Sequence, residues 1–275
     1  MKRRSFSLFA GGLLLVLFLG SGLLSLFWTP FAADTIDIPH RLAPPGTDGH
    51  LLGTDALGRD VVSQLMAGAR NSMLVAVVST VLATVPGVLA GLVIAGAGRT
   101  ARTVMSRLVD LGVALPGILI ALVLATTLGA GNSAAIIAIV ISFIPIVIRV
   151  TMAPARQVLA LDYVEAARAY GRGRYFVLFR HVLPGITPVL IVLSSVLFAS
   201  AILTEAALSY LGAGAQRPVP SWGRMLNEAQ ATIDIAPQLV VFPGLAIVVA
   251  VLGFNLFGDG VRAVLDPRQA RTVVS

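Results

Sequence analysis

The 275-residue chain has no cysteine and only one lysine, Lys2. Without cysteine there is neither a disulfide framework nor a thiolate metal site. Without a second lysine there is no G-x-x-x-x-G-K-[ST] phosphate loop, so the chain cannot hold ATP in that way. The G-x-S-x-G nucleophile elbow and the H-E-x-x-H zinc helix are also missing, which removes two common hydrolytic chemistries. His40, His50 and His181 are the only histidines, and their spacing suggests no metal site. Charge is scarce as well: 12% of residues are charged, against about 25% in ordinary soluble domains.

What fills the chain instead is apolar, at 57% of residues. A core of this size could not hide that much apolar surface, so the pattern implies a polytopic membrane protein. A span needs about 20 apolar residues to cross roughly 30 Å of hydrocarbon. Six such stretches are expected near 7–28, 72–97, 108–128, 133–150, 186–211 and 238–258. The fold class is therefore all-α, with six transmembrane helices. Spans two to six carry Pro86, Pro116, Pro145, Pro188 and Pro243, kinks that neighbouring helices can re-satisfy. The first stretch starts on Lys2, Arg3 and Arg4 but is too long for a signal peptide and lacks an A-x-A site before Asp34. It reads as an uncleaved anchor.

Basic residues set the orientation. With the N-terminus inside, fifteen of the 20 Lys and Arg residues fall on the cytoplasmic side, among them Arg99, Arg102, Arg107, Arg149, Arg156 and Arg168. Arg41, Arg59, Arg70, Arg217 and Arg224 stay outside with more acids than bases. The positive-inside rule then puts both termini and the 151–185 loop in the cytoplasm. This asymmetry accounts for the net charge of +7, and nucleic-acid binding is not needed to explain it. Residues 1–71 form an anchor helix plus a turn-rich outer loop, and 72–275 form a five-helix transmembrane domain. A second outer loop covers 212–237.

The polar stretch 157–184 between apolar segments is the most informative part of the chain. Leu161, Val164, Ala167 and Arg168 recur at helical spacing, with Glu165 and Arg168 as an i, i+3 pair. Gly171 and Gly173 then break the helix, and a second amphipathic piece begins at Tyr175. Ala166 and Ala167 leave so little bulk that the helix could sit in a partner's groove. Periodicity alone also allows a loop lying on anionic headgroups.

The order Glu165-Ala166-Ala167, three residues, Gly171, nine residues, His181-Val182-Leu183-Pro184 resembles the "EAA" signature of ABC importer permeases. Other segments resemble the C-type subunit of the dipeptide/oligopeptide/nickel branch. These are Leu52-Gly53-Thr54-Asp55 with Leu57-Gly58-Arg59-Asp60, then Arg107, Asp110 and Ala114-Leu115-Pro116. Glu205 through Gly212, Pro220-Ser221-Trp222-Gly223, Phe254-Asn255-Leu256, Gly258-Asp259-Gly260 and Asp266-Pro267-Arg268 continue the match. Gly185 and Ala263 depart from it without touching the loop signature. The resemblance implies a type I importer permease fold with a coupling helix over about 161–172. Its ATPase-coupling residues would be Tyr163, Val164, Glu165, Ala166, Ala167, Arg168 and Gly171. It also implies a homologous B-type permease subunit, two ATPase subunits that bind ATP and magnesium, and an extracytoplasmic solute-binding protein. This chain would carry no cofactor and no catalytic residue, in a bacterial cytoplasmic membrane. The solute is a di- or oligopeptide, with nickel, a metal chelate or glutathione as alternatives.

Outside that loop, several polar residues carry two readings. Glu205, deep in the fifth span, either lines the path with Ser209 or makes an internal bond with Ser209 at i+4 or with the partner permease. Asp55, Arg59 and Asp60 either fix a turn or meet the binding protein. Trp222 is an interfacial anchor or a contact for that protein. Asp110 is expected to pair with Arg107, while Asn255 and Asp259 fix the end of span six. The competing class is a stand-alone secondary transporter or channel. It would need ionisable residues deep in several spans, and Glu205 is its main support.

Overall fold

The computed structural model describes residues 2–114 and 116–265. The family-like positions Leu115, Asp266, Pro267 and Arg268, with Arg271, lie outside the described residues. Among the described residues the chain is helical. Two isolated bridges, Thr47 with His50 and Thr54 with Asp60, are the only β pairings there. The helices are α1 Lys2–Leu24, α2 Val61–Ala95, α3 Arg99–Ala114, α4 Gly117–Leu128 and α5 Asn132–Leu159. They continue as α6 Asp162–Ala169, α7 Arg174–Val177, α8 Leu183–Tyr210, α9 Trp222–Ala229 and α10 Gln238–Leu265.

Four helical stretches are long and apolar enough to cross a membrane: Val61–Ala95, Asn132–Leu159, Arg174–Tyr210 and Gln238–Val264. The expected third span is broken. α3 and α4 qualify only together and meet at 76°. Pro116 has no N–H to donate and disfavours a helical residue before it, and it sits in extended backbone as the N-cap of α4. The first span is represented by a shorter apolar helix, Leu8–Leu24. It packs antiparallel on α10, with Gly11 beside Phe257 and Gly260 beside Leu8.

The expected boundaries also shift. α2 begins at Val61, because Asp60 accepts a hydrogen bond from the Ser63 amide at 2.7 Å and caps the helix there. Its first turns carry Gln64 and Asn71, both buried by protein, so the helix extends past the apolar core. α5 runs on to Leu159 through Pro154, longer than the apolar stretch at 133–150.

Small residues bring the helices close. A Cβ on Gly87 or Gly91 would lie 2.7 Å from Val147 or Thr151, so α2 and α5 run parallel at near-backbone contact. Gly22 meets Arg70, while Gly112 and Gly117 meet Pro145 and Ser142. These pairings set four membrane-length helices beside the bent α3–α4 pair and the shorter α1, where the sequence led to an expectation of six full spans. They bring the α1 start, the α10 end, the α2–α3 junction and residues 156–182 to one end of the bundle. The other end holds the 25–60 segment, α9 and the junctions before α5 and α10.

Candidate functional site

The cytoplasmic-type end is built around α6. Leu161 in extended backbone starts it and Gly171, at φ +80°, stops it. The Gly171 amide bonds the Arg168 carbonyl at 2.9 Å, and the Arg172 amide bonds the Ala167 carbonyl at 3.1 Å. That 6→1 and 5→2 pattern is a Schellman stop, which a glycine adopts without a Cβ penalty. The expected break at Gly171 is thus realised.

Of the seven expected coupling residues, Tyr163, Glu165, Ala166, Arg168 and Gly171 are exposed and Ala167 is half-buried. Val164 differs: it is 0% exposed, in the main core with Val177, Val182 and Leu178. It is a foot that holds α6 to the bundle, and its side chain is turned away from any partner. The expected Glu165–Arg168 pair does not form either; no ion pair joins them among the described residues. Two solvated side chains gain little from such a contact, and each is left presented outward. Arg168 instead lines a recess with Arg172, Arg174 and Gly96.

The lever is tied to the spans at several points. The Tyr163 and Phe176 rings meet His181 edge-on at 5.8 and 5.7 Å. Arg172 stands 4.8 Å over the Phe176 ring, a cation–π contact. Arg174 donates to the Val93 carbonyl at 2.8 Å, at the end of α2. Between α7 and α8, residues Leu178–Val182 form a π-helical turn, a geometry common where a helix must bend for function. Contacts thus link α6 and α7 to both α2 and α8.

At the opposite end several polar groups are bonded within the chain. Glu205 is 0% exposed and accepts hydrogen bonds from Ser72 at 2.8 Å, Ser209 at 2.7 Å and Ser221 at 2.8 Å. Of its two readings, the internal bond to Ser209 is the one whose geometry is present. Glu205 and Ser209 are both buried in this chain, and Ser209 also lines a recess with Gln216 and Glu228. Asp55 fixes its turn by accepting from the Leu57 and Arg59 amides at 2.8 and 2.9 Å. Gly58 completes the turn at φ +78°. Asp60 caps α2 and accepts from His50 at 2.9 Å. The turn-fixing reading of this trio matches these contacts.

Trp222 corrects the reading as interfacial anchor or binding-protein contact. It is 3% exposed, donates to the Leu65 carbonyl at 2.9 Å and packs on Phe18 at 5.5 Å. Asp110 also differs, pairing with Arg149 of α5 at 3.5 Å rather than with Arg107, because α5 lies alongside α3.

The residue that sequence reasoning missed is Glu228 of α9. It binds Arg59 at 2.5 Å, Arg217 at 3.0 Å and Arg224 at 2.9 Å, joining both outer loops beside a cavity of about 360 Å³. Burial opposes its charge, but the hydrogen bonds from the three arginines outweigh this and hold its carboxyl below the usual range. The i, i+4 spacing of Arg224 and Glu228 was the available signal; the partner at Arg59 left none. His40, hydrogen-bonded to Asp37 at 2.8 Å, is held above the ordinary imidazole range by that bond and by the charges of Asp37 and Asp48.

An all-helical membrane bundle with a glycine-stopped helix held out at one end is the architecture of a transport permease. Residues 87–271 match the family described as binding-protein-dependent transport system inner membrane component, and the chain belongs to that family. Among similar proteins is a di/tripeptide transport system permease of Pseudomonas aeruginosa, 43% identical over 82% of this chain and 77% of its own. A glutathione transport system permease of Pectobacterium atrosepticum is 36% identical over 94% of this chain and 86% of its own. The fold is shared with a chain of the MetNI methionine ABC transporter in an inward-facing conformation. That match has a TM-score of 0.60 at 20% identity and covers 74% of this chain and 97% of that one. The chain is accordingly an inner-membrane permease component of a binding-protein-dependent ABC importer.

Proposed function

We propose that this permease admits short peptides, delivered by an extracytoplasmic binding protein, across a bacterial cytoplasmic membrane. It pairs with a homologous permease to enclose the path. Two ATPase subunits, which hold ATP and magnesium, supply the energy, since this chain has no phosphate loop of its own. The observation that supports this most directly is α6: exposed Glu165, Ala166 and Arg168 on a helix whose foot, Val164, is locked in the core. Small exposed residues on an anchored helix fit a cleft in a soluble motor. Glu165 contacts a basic group there.

ATP must favour one conformation over the other by several kcal/mol to shift the population fully. The α6 contacts pass that difference to α2 and α8 through Val164, Arg174 and the π turn. The short-peptide class rests on the relatives: one permease is named for di/tripeptides and another for glutathione, itself a small peptide.

The cysteine-free chain suits the test. A single Ala166→Cys substitution, co-expressed with ATPase subunits carrying one cysteine in the docking cleft, is expected to give a disulfide-linked band that changes with ATP. Uptake of labelled dipeptide by the same cells should stop when the link forms. Absence of any crosslink in an assembled, active transporter would sink the coupling assignment. Active import of another solute class with no peptide uptake would sink the peptide assignment alone.

A further inference from the structure

We propose that the groove between α3 and α5, at the cytoplasmic end, holds the phosphate headgroup of an anionic phospholipid from the inner leaflet. The inference concerns neither the transported solute nor the ATPases and goes beyond the transport reading. Arg99, Arg102, Ser106, Arg107 and Asp110 of α3, with Arg156 of α5, line a cavity of about 310 Å³. Their spacing along α3 puts them on a single helical face. Asp110 is the only carboxylate in that lining, and Arg149 already shares it at 3.5 Å. Four guanidinium groups therefore face one recess with a single, already engaged counter-charge. Planar guanidinium forks match phosphate oxygens bidentately.

The rest of α3 indicates where such a phosphate comes from. Val109 is buried with Ile94 and Ile148, which anchors the helix. Val104, Leu108 and Leu111 are exposed beside the basic face, and exposed Ile118 and Leu119 extend the apolar surface onto α4. α3 turns 76° away from α4. A helix with a basic face, an apolar face and a sharp bend from the span it adjoins suits the membrane interface. Basic pockets between helices on the cytoplasmic side are known to take anionic headgroups. A free phosphate would use the arginines but leave the apolar flank bare, whereas a phospholipid covers both.

The test uses the full transporter, with all its subunits, purified from membranes and analysed by native mass spectrometry. Phosphatidylglycerol and phosphatidylcholine are titrated separately. The wild type is expected to retain phosphatidylglycerol and release phosphatidylcholine. The double variant Arg102→Gln/Arg156→Gln is expected to hold phosphatidylglycerol roughly thirtyfold less tightly. Arg102→Lys/Arg156→Lys, which preserves charge but not the bidentate fork, is expected to hold it less tightly than wild type and more tightly than the glutamine variant. Millimolar inorganic phosphate should not displace the bound lipid.

Equal retention by the glutamine variant overturns the proposal. Displacement by inorganic phosphate assigns the groove to a free anion and overturns the lipid. Loss of the homologous permease from the variant complex, with lipid retained, assigns the groove to a subunit interface and also overturns it. Should the glutamine variant fail to assemble, the wild-type titrations and the lysine variant decide the matter.

Discussion

The two ends of the bundle spend their polar residues differently. At the outer end Glu205, Asp60, Trp222 and Glu228 are bonded within the chain, across separations of up to 169 residues. At the inner end Glu165, Arg168, Arg99, Arg107 and Arg156 stand exposed. Burying a polar group costs free energy unless a partner satisfies it. Much of the outer end, or cap, is thus bonded within the chain, whereas the inner end presents more of its charged side chains to its surroundings. Under the proposed coupling, the bonded end serves as a reference frame and the exposed end as the handle.

Substitutions at the two ends should therefore fail in different ways. The largest effect is expected at the handle. On the proposed coupling, Glu165→Lys reverses the charge that would meet the ATPase and should cut peptide uptake by about tenfold or more, with the melting temperature of the isolated chain unchanged. A loss of stability equal to that of a cap variant would erase the contrast. Next comes the cap itself. Trp222→Ala removes a buried ring beside Phe18 and its hydrogen bond to the Leu65 carbonyl, which should cost about 3–5 kcal/mol in denaturant unfolding.

Glu205→Gln keeps the shape but weakens three hydroxyl bonds, at about 1–3 kcal/mol. Its uptake per assembled complex should stay near wild type; a large uptake loss in a normally stable, assembled variant would favour the path-lining reading. The smallest effect is titration of the exposed loops. Glu228 has a folded pKa below its ordinary 4.5, so its stabilisation is fully present above the unfolded value. It fades as pH falls through the folded one. For His40, raised above 6.5, the stabilisation is full below the unfolded value and fades as pH rises through the folded one. Thermal unfolding across pH 3–9 should show the acid loss vanish in Glu228→Gln. The alkaline loss should vanish in His40→Gln.

The helix α6 and its glycine stop were legible because their signals are local. Alanine pairs, a glycine stop and an apolar foot all fall within a dozen residues, and only Val164 and the unformed Glu165–Arg168 pair needed the structure. The cap was much less legible. Ser72 and Ser221 look like ordinary span and loop serines, although both donate to Glu205. Pro116 was visible as a kink, yet the 76° turn it accompanies depends on how α3 lies against α5.

Sequence by itself decided the membrane class, the side on which charge collects and the short glycine-stopped helix at that end, because apolar run length, arginine placement and turn chemistry act over short distances along the chain. Tertiary structure alone decided which acids and aromatics are spent inside the fold. A carboxylate such as Glu205 takes its meaning from hydroxyls that arrive from helices far away in the chain, and only packing brings them within hydrogen-bond reach.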